Sequence, residues 1–344
     1  MLWPSYFANT QRAIYGVMKG NTMSSLYIDR RGVELEADGE ALVFRENGER
    51  IGTVPLAPLS RVFLRGDVRL QSSLLGKLGE RGIGVIILSG RKAEPTLLMA
   101  RPHNDATKRI AQYRLSQDPE FCLSFSRNIV TAKLVAQQDF LSTRREHDLE
   151  HRYELTLALR KLENIMLDLK DKSNIATLRG AEGAAAVAYF QGLAAIASPR
   201  LKFHQRNRRP PRDPLNALFS LGYTLLHSEA VLALYGSGLD PFIGFYHQLD
   251  FGRESLACDI VEPLRVEIDK FALELFRQDT LRIEDFSTTG SGCLLGKNGR
   301  GKFYSAWETM IEKLRKQLDN QVTEITGLLN PSATPAQKVA MDEF

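Results

Sequence analysis

The chain has 344 residues, enough for about two domains that each bury a hydrophobic core without help from disulfides. Its three cysteines are an odd number without C-x-x-C spacing, which argues against a secreted disulfide framework and a structural zinc site and favours a reducing cytoplasm. With 45 basic and 41 acidic residues the net charge is only +4, so composition alone neither predicts nor excludes a nucleic-acid partner.

Residues 1–22 match neither a secretory signal nor a transit peptide and are interpreted as an uncertain N-terminal extension. The apolar stretches 82–88 and 184–197 are too short, or are interrupted by Gln191, to cross a bilayer. We therefore expect no membrane-spanning helix and a cytoplasmic protein.

Residues 23–100 have the pattern of a small, mainly β domain. Short alternating or apolar runs occur at residues 26–28, 33–35, 41–44, 62–64 and 85–88. Turn signals separate them at Arg31-Gly32, Asp38-Gly39 and Asn47-Gly48, where a positive φ costs little. One helix, from about Ser72 to Glu80, is expected before the last buried strand.

Residues 101–330 change to a helical period and predict a larger, all-α catalytic domain, which makes the fold class α+β. An amphipathic helix is predicted over residues 144–172, with a recurring stripe formed by Leu149, Tyr153, Leu157, Ile165 and Leu169. Residues 331–344 are expected to be a flexible tail.

Two further helices have recognisable starts or ends. Asp213-Pro214 predicts a helix start, since Asp caps free amides and Pro suits the first turn; this helix should run to about Tyr235. Gly236 and Gly238 are expected to end it. A last helix is predicted from Phe303 to about Leu329.

The segment 200–212 is basic and has no acidic residue. Its cations are Arg200, Lys202, Arg206, Arg208, Arg209 and Arg212. Such a density of charge suits a phosphate backbone, although a solvated loop explains it as well and is favoured by composition alone.

Metal-assisted phosphodiester chemistry needs hard oxygen ligands, sometimes joined by an imidazole, that converge from separate elements. Glu182 lies among small residues that would let its helix approach DNA closely, although a solvent-facing Glu is the commoner case. His247 follows a Gly-rich loop, where a hydrogen-bonded core histidine is an equally ordinary interpretation.

Asp259 is the most suspicious of these residues, because an acid among apolar neighbours is costly to bury unless it is paired or metal-bound. Glu262 would share its helix face. Pairing with Arg265, or capping a helix, explains Asp259 about as well as a metal does.

Taken together, these segments resemble the Cas1 family of CRISPR-associated integrases over nearly the whole chain. The matching segments are EGAA at 182–185, RNRRPPRDPLNA at 206–217, GLDPFIGFYH at 238–247 and LACDIVEPLR at 256–265. Further matches are IGVIILS at 83–89 and GCLL at 292–295. Cys258 stands where the family usually has an apolar residue.

The resemblance implies a metal-dependent enzyme that joins the 3′-hydroxyl ends of spacer DNA to the CRISPR array by transesterification. Glu182, His247 and Asp259 would be the catalytic metal ligands for Mg²⁺ or Mn²⁺, with Glu262 as a possible second acid. The residues implied for DNA binding are Arg206, Arg208, Arg209, Arg212, Asn216 and Tyr223.

The resemblance also implies partners: double-stranded DNA as spacer precursor and as CRISPR array, and a homodimer formed through the β domain. Two such dimers would be bridged by the companion adaptation protein Cas2. Two alternatives remain open at this stage. One is a hydrolytic nuclease acting on branched or free DNA through the same metal site, and the other is a non-catalytic DNA-binding scaffold.

Overall fold

The computed structural model describes residues 14–16, 24–88, 95–99, 106–207, 210–247, 252–290 and 292–329. The described residues divide into two compact units. The first contains those up to 103 together with Gly296–Lys313, and the second contains those of 104–295 together with those after 313. The predicted domain boundary between residues 100 and 101, and the predicted tail 331–344, lie outside the described residues, as does most of the predicted extension 1–22.

The described part of the first unit contains two sheets, the helix α1 (Ser72–Glu80) and the first turns of a later helix that begins at Lys297. Its strands are β1 (Ile14–Gly16), β2 (Ser24–Asp29), β3 (Glu34–Asp38), β4 (Ala41–Glu46), β5 (Glu49–Pro55), β6 (Leu59–Arg65), β7 (Arg69–Leu70), β8 (Gly84–Ile87) and β9 (Thr96–Leu98). One sheet has the order β1-β2-β6-β8-β9, with β2, β6 and β8 parallel; the other has the order β5-β4-β3-β7.

The strands follow the hydrophobic pattern of the sequence. Leu26, Phe44 and Val62, from three different strands, are buried in one core with Leu74 of α1. The tight turn between β4 and β5 is made by Asn47 and Gly48, whose φ angles of 52° and 84° are cheap for these residue types. The prediction of a mainly β N-terminal region with one helix over Ser72–Glu80 is thus confirmed.

Residues far along the chain complete this unit. The Tyr27 ring of β2 stacks on Phe63 at 4.4 Å and on Tyr304 at 4.3 Å between ring centroids. Its hydroxyl donates a 2.6 Å hydrogen bond to Oε1 of the buried Glu308. The first unit therefore needs residues 296–313 for its own core.

The second unit is mainly helical. Its helices are α2 (Ala106–Ser116), α3 (Pro119–His147), α4 (Arg152–Asp168), α5 (Ile175–Ile196), α6 (Pro214–Gly236), α7 (Ser255–Val261) and α8 (Arg265–Arg277), together with the part of α9 (Lys297–Leu328) that follows residue 313. A hairpin of β10 (Phe286–Thr289) and β11 (Gly292–Leu295) precedes α9.

Side-chain caps fix where several of these helices begin. Asp118 accepts hydrogen bonds from the backbone N–H groups of Glu120 and Phe121 at the start of α3. Asp213 accepts one from Asn216 at the start of α6, with Pro214 in the first position. The predicted start of α6 is confirmed.

The prediction of one amphipathic helix over residues 144–172 is wrong. The chain leaves α3 after His147, where Asp148 has an extended backbone and its side chain accepts a 3.0 Å hydrogen bond from the backbone N–H of His151. Of the predicted stripe, Leu149 and Tyr153 are 75% and 71% exposed, whereas Leu169 is buried. The buried residues of α4 are Leu155, Ala158, Leu159 and Leu162.

Two further differences concern the end of the chain. The hairpin β10–β11 was not predicted, and α9 begins at Lys297 rather than at Phe303. The α+β class, with a β-rich region followed by a larger helical region, is nevertheless confirmed.

Helix α6 is long and apolar enough to cross a membrane by length and composition, a feature that the sequence analysis overlooked. Core helices of soluble proteins pass the same test, and 61% of its most apolar window is buried. Its Glu229 is buried and paired with Arg315 at 2.6 Å. We interpret α6 as a core helix of the second unit.

A buried carboxylate connects three helices of this unit. Asp269 of α8 accepts a 2.9 Å hydrogen bond from the Tyr189 hydroxyl of α5 and another from the Tyr223 hydroxyl of α6. Burial raises the pKa of Asp269 to about 6, although both hydroxyls favour the ionised form.

This pKa predicts how Asp269 affects stability with pH. Because the folded-state pKa lies above the unfolded value, the stabilisation is full below about pH 4 and is lost as the pH rises through about 6. Between pH 5 and pH 7 the unfolding free energy of the wild type should therefore fall by about 1 kcal/mol relative to Asp269→Asn. Urea unfolding at both pH values measures this, with exposed Asp139→Asn as control. A constant difference between wild type and Asp269→Asn would contradict it.

Candidate active site

The loop formed by residues 244–247 wraps around one carboxylate. Asp259 of α7 is 0% exposed. Its Oδ2 accepts hydrogen bonds from the backbone N–H groups of Phe245 and Tyr246, at 2.8 and 3.0 Å. Its Oδ1 accepts from the backbone N–H of His247 at 2.9 Å and contacts the ring Nδ1 at 2.7 Å.

These four contacts use the whole acceptor capacity of a carboxylate, which is about four lone-pair positions. Gly244 makes the wrapping possible, because a Cβ there would lie 2.8 Å from Oδ2 of Asp259 and 2.7 Å from the backbone of Ser255. The arrangement stabilises the buried charge of Asp259 and fixes the loop 244–247.

The same contact orients the imidazole of His247. A carboxylate only accepts, so the proton of a neutral ring would lie on Nδ1, and the Nε2 lone pair of that tautomer would be available. Nε2 lies 3.8 Å from Oε1 of Glu262, which is too far for a hydrogen bond. His247 therefore presents a free ligand atom beside an acid.

Glu182 and Glu262 are joined by a lysine. Lys133 of α3 donates a 2.7 Å hydrogen bond to Oε2 of Glu262 and another to Oε1 of Glu182. The remaining oxygens are also held: the Tyr246 hydroxyl donates to Oε2 of Glu182, and Arg265 pairs with Oε1 of Glu262 at 3.1 Å. Both acids thus belong to one buried network.

The charges of this network fix its protonation. Burial raises the pKa of Glu262, but Arg265 and Lys133 outweigh it and lower the pKa to about 2. Burial lowers the pKa of Lys133, but the charges of Glu262 and Glu182 raise it by more, so the net shift of the pKa is upward. Burial, with the charge of Glu182, raises the pKa of Tyr246. At neutral pH the network holds an ionised acid, an ammonium and a phenol that remains a donor.

The fit of this site to a metal ion depends on which atoms are free. Within the described residues, no three His, Cys, Asp or Glu side chains are placed to hold one ion together as they stand. The reason is local: the ammonium of Lys133 lies between two of the acids, and the acceptor positions of Asp259 are taken. Two carboxylates nevertheless share one positive charge, and an imidazole Nε2 lies 3.8 Å from one of them, a set of donors that suits a small divalent cation.

The four acidic and imidazole residues singled out in the sequence thus lie in one connected network. The carboxylate of Asp259 binds the loop backbone, whereas Glu182 and Glu262 bind the ammonium of Lys133, and Nε2 of His247 lies beside Glu262. Arg265 pairs with Glu262, not with Asp259 as the alternative interpretation supposed.

Lys133 and Tyr246 were missed by the sequence analysis. The partners of Lys133 lie 49 and 129 residues away, so no local spacing points to them. The only signal is a lysine between apolar neighbours of α3, Val130 and Leu134, both of which are buried.

The basic segment divides into structural and exposed residues. Arg206 donates to Oδ1 of Asn216 at 2.9 Å and to the Ser220 hydroxyl at 3.2 Å, and its guanidinium lies 5.4 Å from the Tyr223 ring centroid. Asn216 is fully buried. Arg212, in contrast, is exposed. Arg208 and Arg209 lie outside the described residues.

Tyr223 connects this segment to the acidic network. Its ring has the guanidinium of Arg206 at 5.4 Å and that of Arg265 at 5.3 Å from its centroid. Its hydroxyl is bonded to Asp269. As the side chains stand, Tyr223 and Asn216 position other parts of the chain, while the prediction that they bind DNA stays untested.

Comparison with known proteins gives a consistent family. The family model described as CRISPR associated protein Cas1 matches residues 26–309. A CRISPR-associated endonuclease Cas1 of Thermodesulfovibrio yellowstonii is 40% identical over 296 residues, covering 85% of this chain and 93% of its own. Another, from Thermus thermophilus, is 32% identical over 297 residues, covering 86% of each. The resemblance inferred from the sequence motifs is confirmed.

Solved structures show the same fold. A Cas1 protein from Thermotoga maritima superposes with a TM-score of 0.76 at 23% identity, covering 87% of this chain and 94% of its own. A casposase bound to an integration product superposes with a TM-score of 0.75 at 19% identity, covering 93% and 98%. The Cas6-RT-Cas1–Cas2 complex contains a chain with a TM-score of 0.76 at 22% identity; the match covers 92% of this chain and 36% of that one.

Removal of the Asp259 carboxylate should release the loop. In Asp259→Ala the backbone N–H groups of residues 245–247 lose their acceptors, so their amide hydrogen exchange should become about 100-fold faster, which corresponds to about 2–3 kcal/mol. Asp259→Asn keeps the side-chain volume but only one acceptor oxygen, and should be intermediate. Hydrogen exchange followed by mass spectrometry on the unliganded chain measures this.

Glu262→Gln is the matched control, because Glu262 makes no bond to the 245–247 backbone. Equal acceleration in this control would show that the loop depends on the network as a whole and not on Asp259.

Proposed function

The chain belongs to the Cas1 family of CRISPR-associated endonucleases, and on this premise we propose that it joins the 3′-hydroxyl ends of spacer DNA to the CRISPR array by transesterification. The observation that carries the proposal is that Glu182 and Glu262 share one buried lysine charge, with Nε2 of His247 3.8 Å from Glu262. Joining of DNA, rather than cutting alone, is favoured by the shared fold with a casposase bound to an integration product.

Glu182, His247 and Glu262 would hold the divalent cation, Mg²⁺ or Mn²⁺. Bound there, the cation would favour ionisation of the attacking hydroxyl and neutralise charge on the phosphate. In this proposal Asp259 has a different task from the one the sequence predicted: it fixes the tautomer and direction of His247.

The surrounding residues hold these ligands in place. Tyr246 donates to one oxygen of Glu182, and Arg265 donates to one oxygen of Glu262, so the oxygens that a cation would take are the two that Lys133 binds. No protein nucleophile is needed, because the attacking group is the hydroxyl of the DNA end. Catalysis then consists of positioning and charge stabilisation.

DNA would be held through its phosphates by exposed cations, of which Arg212 is described by the structure, while Arg208 and Arg209 are assigned from the sequence alone. Such contacts are tolerant of sequence and suit an enzyme that accepts many spacers. We extend the proposal to a homodimer in the cytoplasm and to assembly with Cas2, since a chain of this fold occurs in a complex with Cas2.

A joining assay tests the proposed reaction. Labelled DNA with free 3′-hydroxyl ends is incubated with a supercoiled plasmid carrying an array, Mn²⁺ and Cas2. Glu182→Gln, Glu262→Gln and His247→Ala should each lower the joining rate about 100-fold or more, because each removes a ligand or its charge. DNA that ends in a dideoxynucleotide should not be joined.

Glu120→Gln, an exposed acid on α3, is the matched control and should join at the wild-type rate. Shortened products without joined ones would point to a hydrolytic nuclease instead. Wild-type rates in both Glu182→Gln and Glu262→Gln would support a non-catalytic scaffold.

Arg206 and Arg212, the two predicted DNA-binding arginines that the structure describes, should differ in effect. Arg212→Ala should weaken DNA binding and reduce the slope of log Kd against log salt concentration by about 1, with unchanged stability, because an exposed cation is lost. Arg206→Ala should instead lower the unfolding free energy by about 1–3 kcal/mol, since Asn216 and Tyr223 lose their partner. Fluorescence anisotropy at several salt concentrations and urea unfolding measure the two effects. Loss of stability in Arg212→Ala, or weaker DNA binding without loss of stability in Arg206→Ala, would contradict the assignment.

A further inference from the structure

Lys133 is a buried cation that the proposed reaction does not use. Its side chain is 11% exposed, and its ammonium lies between Glu182, which is 17% exposed, and Glu262, which is 4% exposed. Burying a lysine is costly unless carboxylates lie beside it. The ammonium of Lys133 is therefore stable in this position only together with the two acids.

The other oxygens of the two acids show what the lysine does. Oε2 of Glu182 accepts from Tyr246, and Oε1 of Glu262 is paired with Arg265. Oε1 of Glu182 and Oε2 of Glu262 remain, and these are the two that Lys133 binds. Without a positive charge between them, two buried carboxylates would repel each other and separate, or one would take up a proton.

A divalent cation held by both acids would need these same two oxygens. If Glu182 and Glu262 are metal ligands, as the proposed function holds, the ammonium must leave them before the ion can bind both. The occupant of the space between the acids is therefore either the lysine charge or the metal charge, and the two compete.

We propose that Lys133 is a positioning residue that keeps Glu182 and Glu262 together in the metal-free protein and competes with the divalent cation for the same two oxygens. The inference rests on the proposed function, because it takes both acids as ligands. Its consequence is a site that is formed before the metal arrives but binds the metal weakly.

The test is Mn²⁺ binding to the metal-free full-length chain, without DNA, by isothermal titration calorimetry. Lys133→Met keeps an unbranched side chain of similar length and removes the charge. It should bind Mn²⁺ about tenfold or more tightly than the wild type. Its metal-free form should unfold at a lower temperature, and Mn²⁺ should raise the unfolding temperature by more than it does in the wild type.

Lys133→Arg keeps the charge and should bind Mn²⁺ no more tightly than the wild type. Lys270→Met is the matched control: its ammonium also binds a carboxylate, that of Glu267 at 2.6 Å, but neither of the two acids of the site. Mn²⁺ affinity and stability gain from Mn²⁺ should be unchanged in this control. If Lys133 had a purely structural role, its neutral variants would be less stable than the wild type in the metal-free form but would bind Mn²⁺ no more tightly.

Lys133→Gln is a second neutral variant, which can still donate hydrogen bonds, in case Lys133→Met does not fold. If neither folds, the wild type decides: in a chain labelled with ¹⁵N-lysine, the Lys133 ammonium signal should shift when Mg²⁺ is added, and an unchanged signal overturns the proposal.

The outcomes separate this inference from the proposed function. Equal Mn²⁺ affinity in the wild type and the neutral variants overturns the inference alone. If neither the wild type nor the two neutral variants bind Mn²⁺, the metal site of the proposed function is wrong, and the inference that rests on it is overturned as well. Binding that appears only in the neutral variants supports the inference.

Discussion

Asp259 accepts four hydrogen bonds while fully buried, and the geometry of the candidate site follows from that. Three of the bonds come from consecutive backbone N–H groups, so they fix the backbone conformation from Phe245 to His247. The fourth fixes the imidazole. The same turn brings the Tyr246 hydroxyl to Glu182, which lies on a helix 64 residues earlier in the chain. One carboxylate therefore determines where both the histidine and one acid of the site are held.

The rest of the network is a set of charges that are stable only together. Glu262 has cations on both oxygens, and Lys133 has carboxylates on two sides. Removing a single member leaves an uncompensated buried charge, which costs more than removing a neutral group. Arg265 also packs on the Tyr223 ring, whose other guanidinium neighbour is Arg206 at the start of the basic segment. The acids and the proposed DNA-binding segment therefore share a structural support within one unit.

Local rules were sufficient where the determining contacts are local. Alternation with Gly turns located β2, β3, β4, β6 and β8 of the first unit, and Asp213-Pro214 located the start of α6. They failed over α4, because its sequence carries apolar residues at helical spacing on two faces, and only packing decides that Leu155 is buried and Tyr153 is not.

The suspicion that a buried Asp259 must have partners was sound, but the partners are backbone groups that no residue type reveals. Lys133 and the hairpin β10–β11 were not predicted, because they too depend on contacts that local sequence does not reveal. The lysine depends on two distant acids, and Gly292 and Cys293 of the hairpin pack on Pro210 and Pro211 about 80 residues away, at 2.7 Å between the Cys293 nitrogen and the Pro211 oxygen.

Helix α9 gives its first turns to the β-rich unit, whose Tyr27 is covered by Tyr304 and bonded to Glu308. After the strands have been synthesised, the ribosome must still add residues 104 to 295 before it reaches the turns of α9 that cover Tyr27. This takes about 10–40 s at bacterial elongation rates. Throughout that interval the nascent strands expose an aromatic surface, so the earliest-made part of the protein is among the last to be completed. Chaperone occupancy on ribosome-bound chains should accordingly persist until nearly the whole message has been translated.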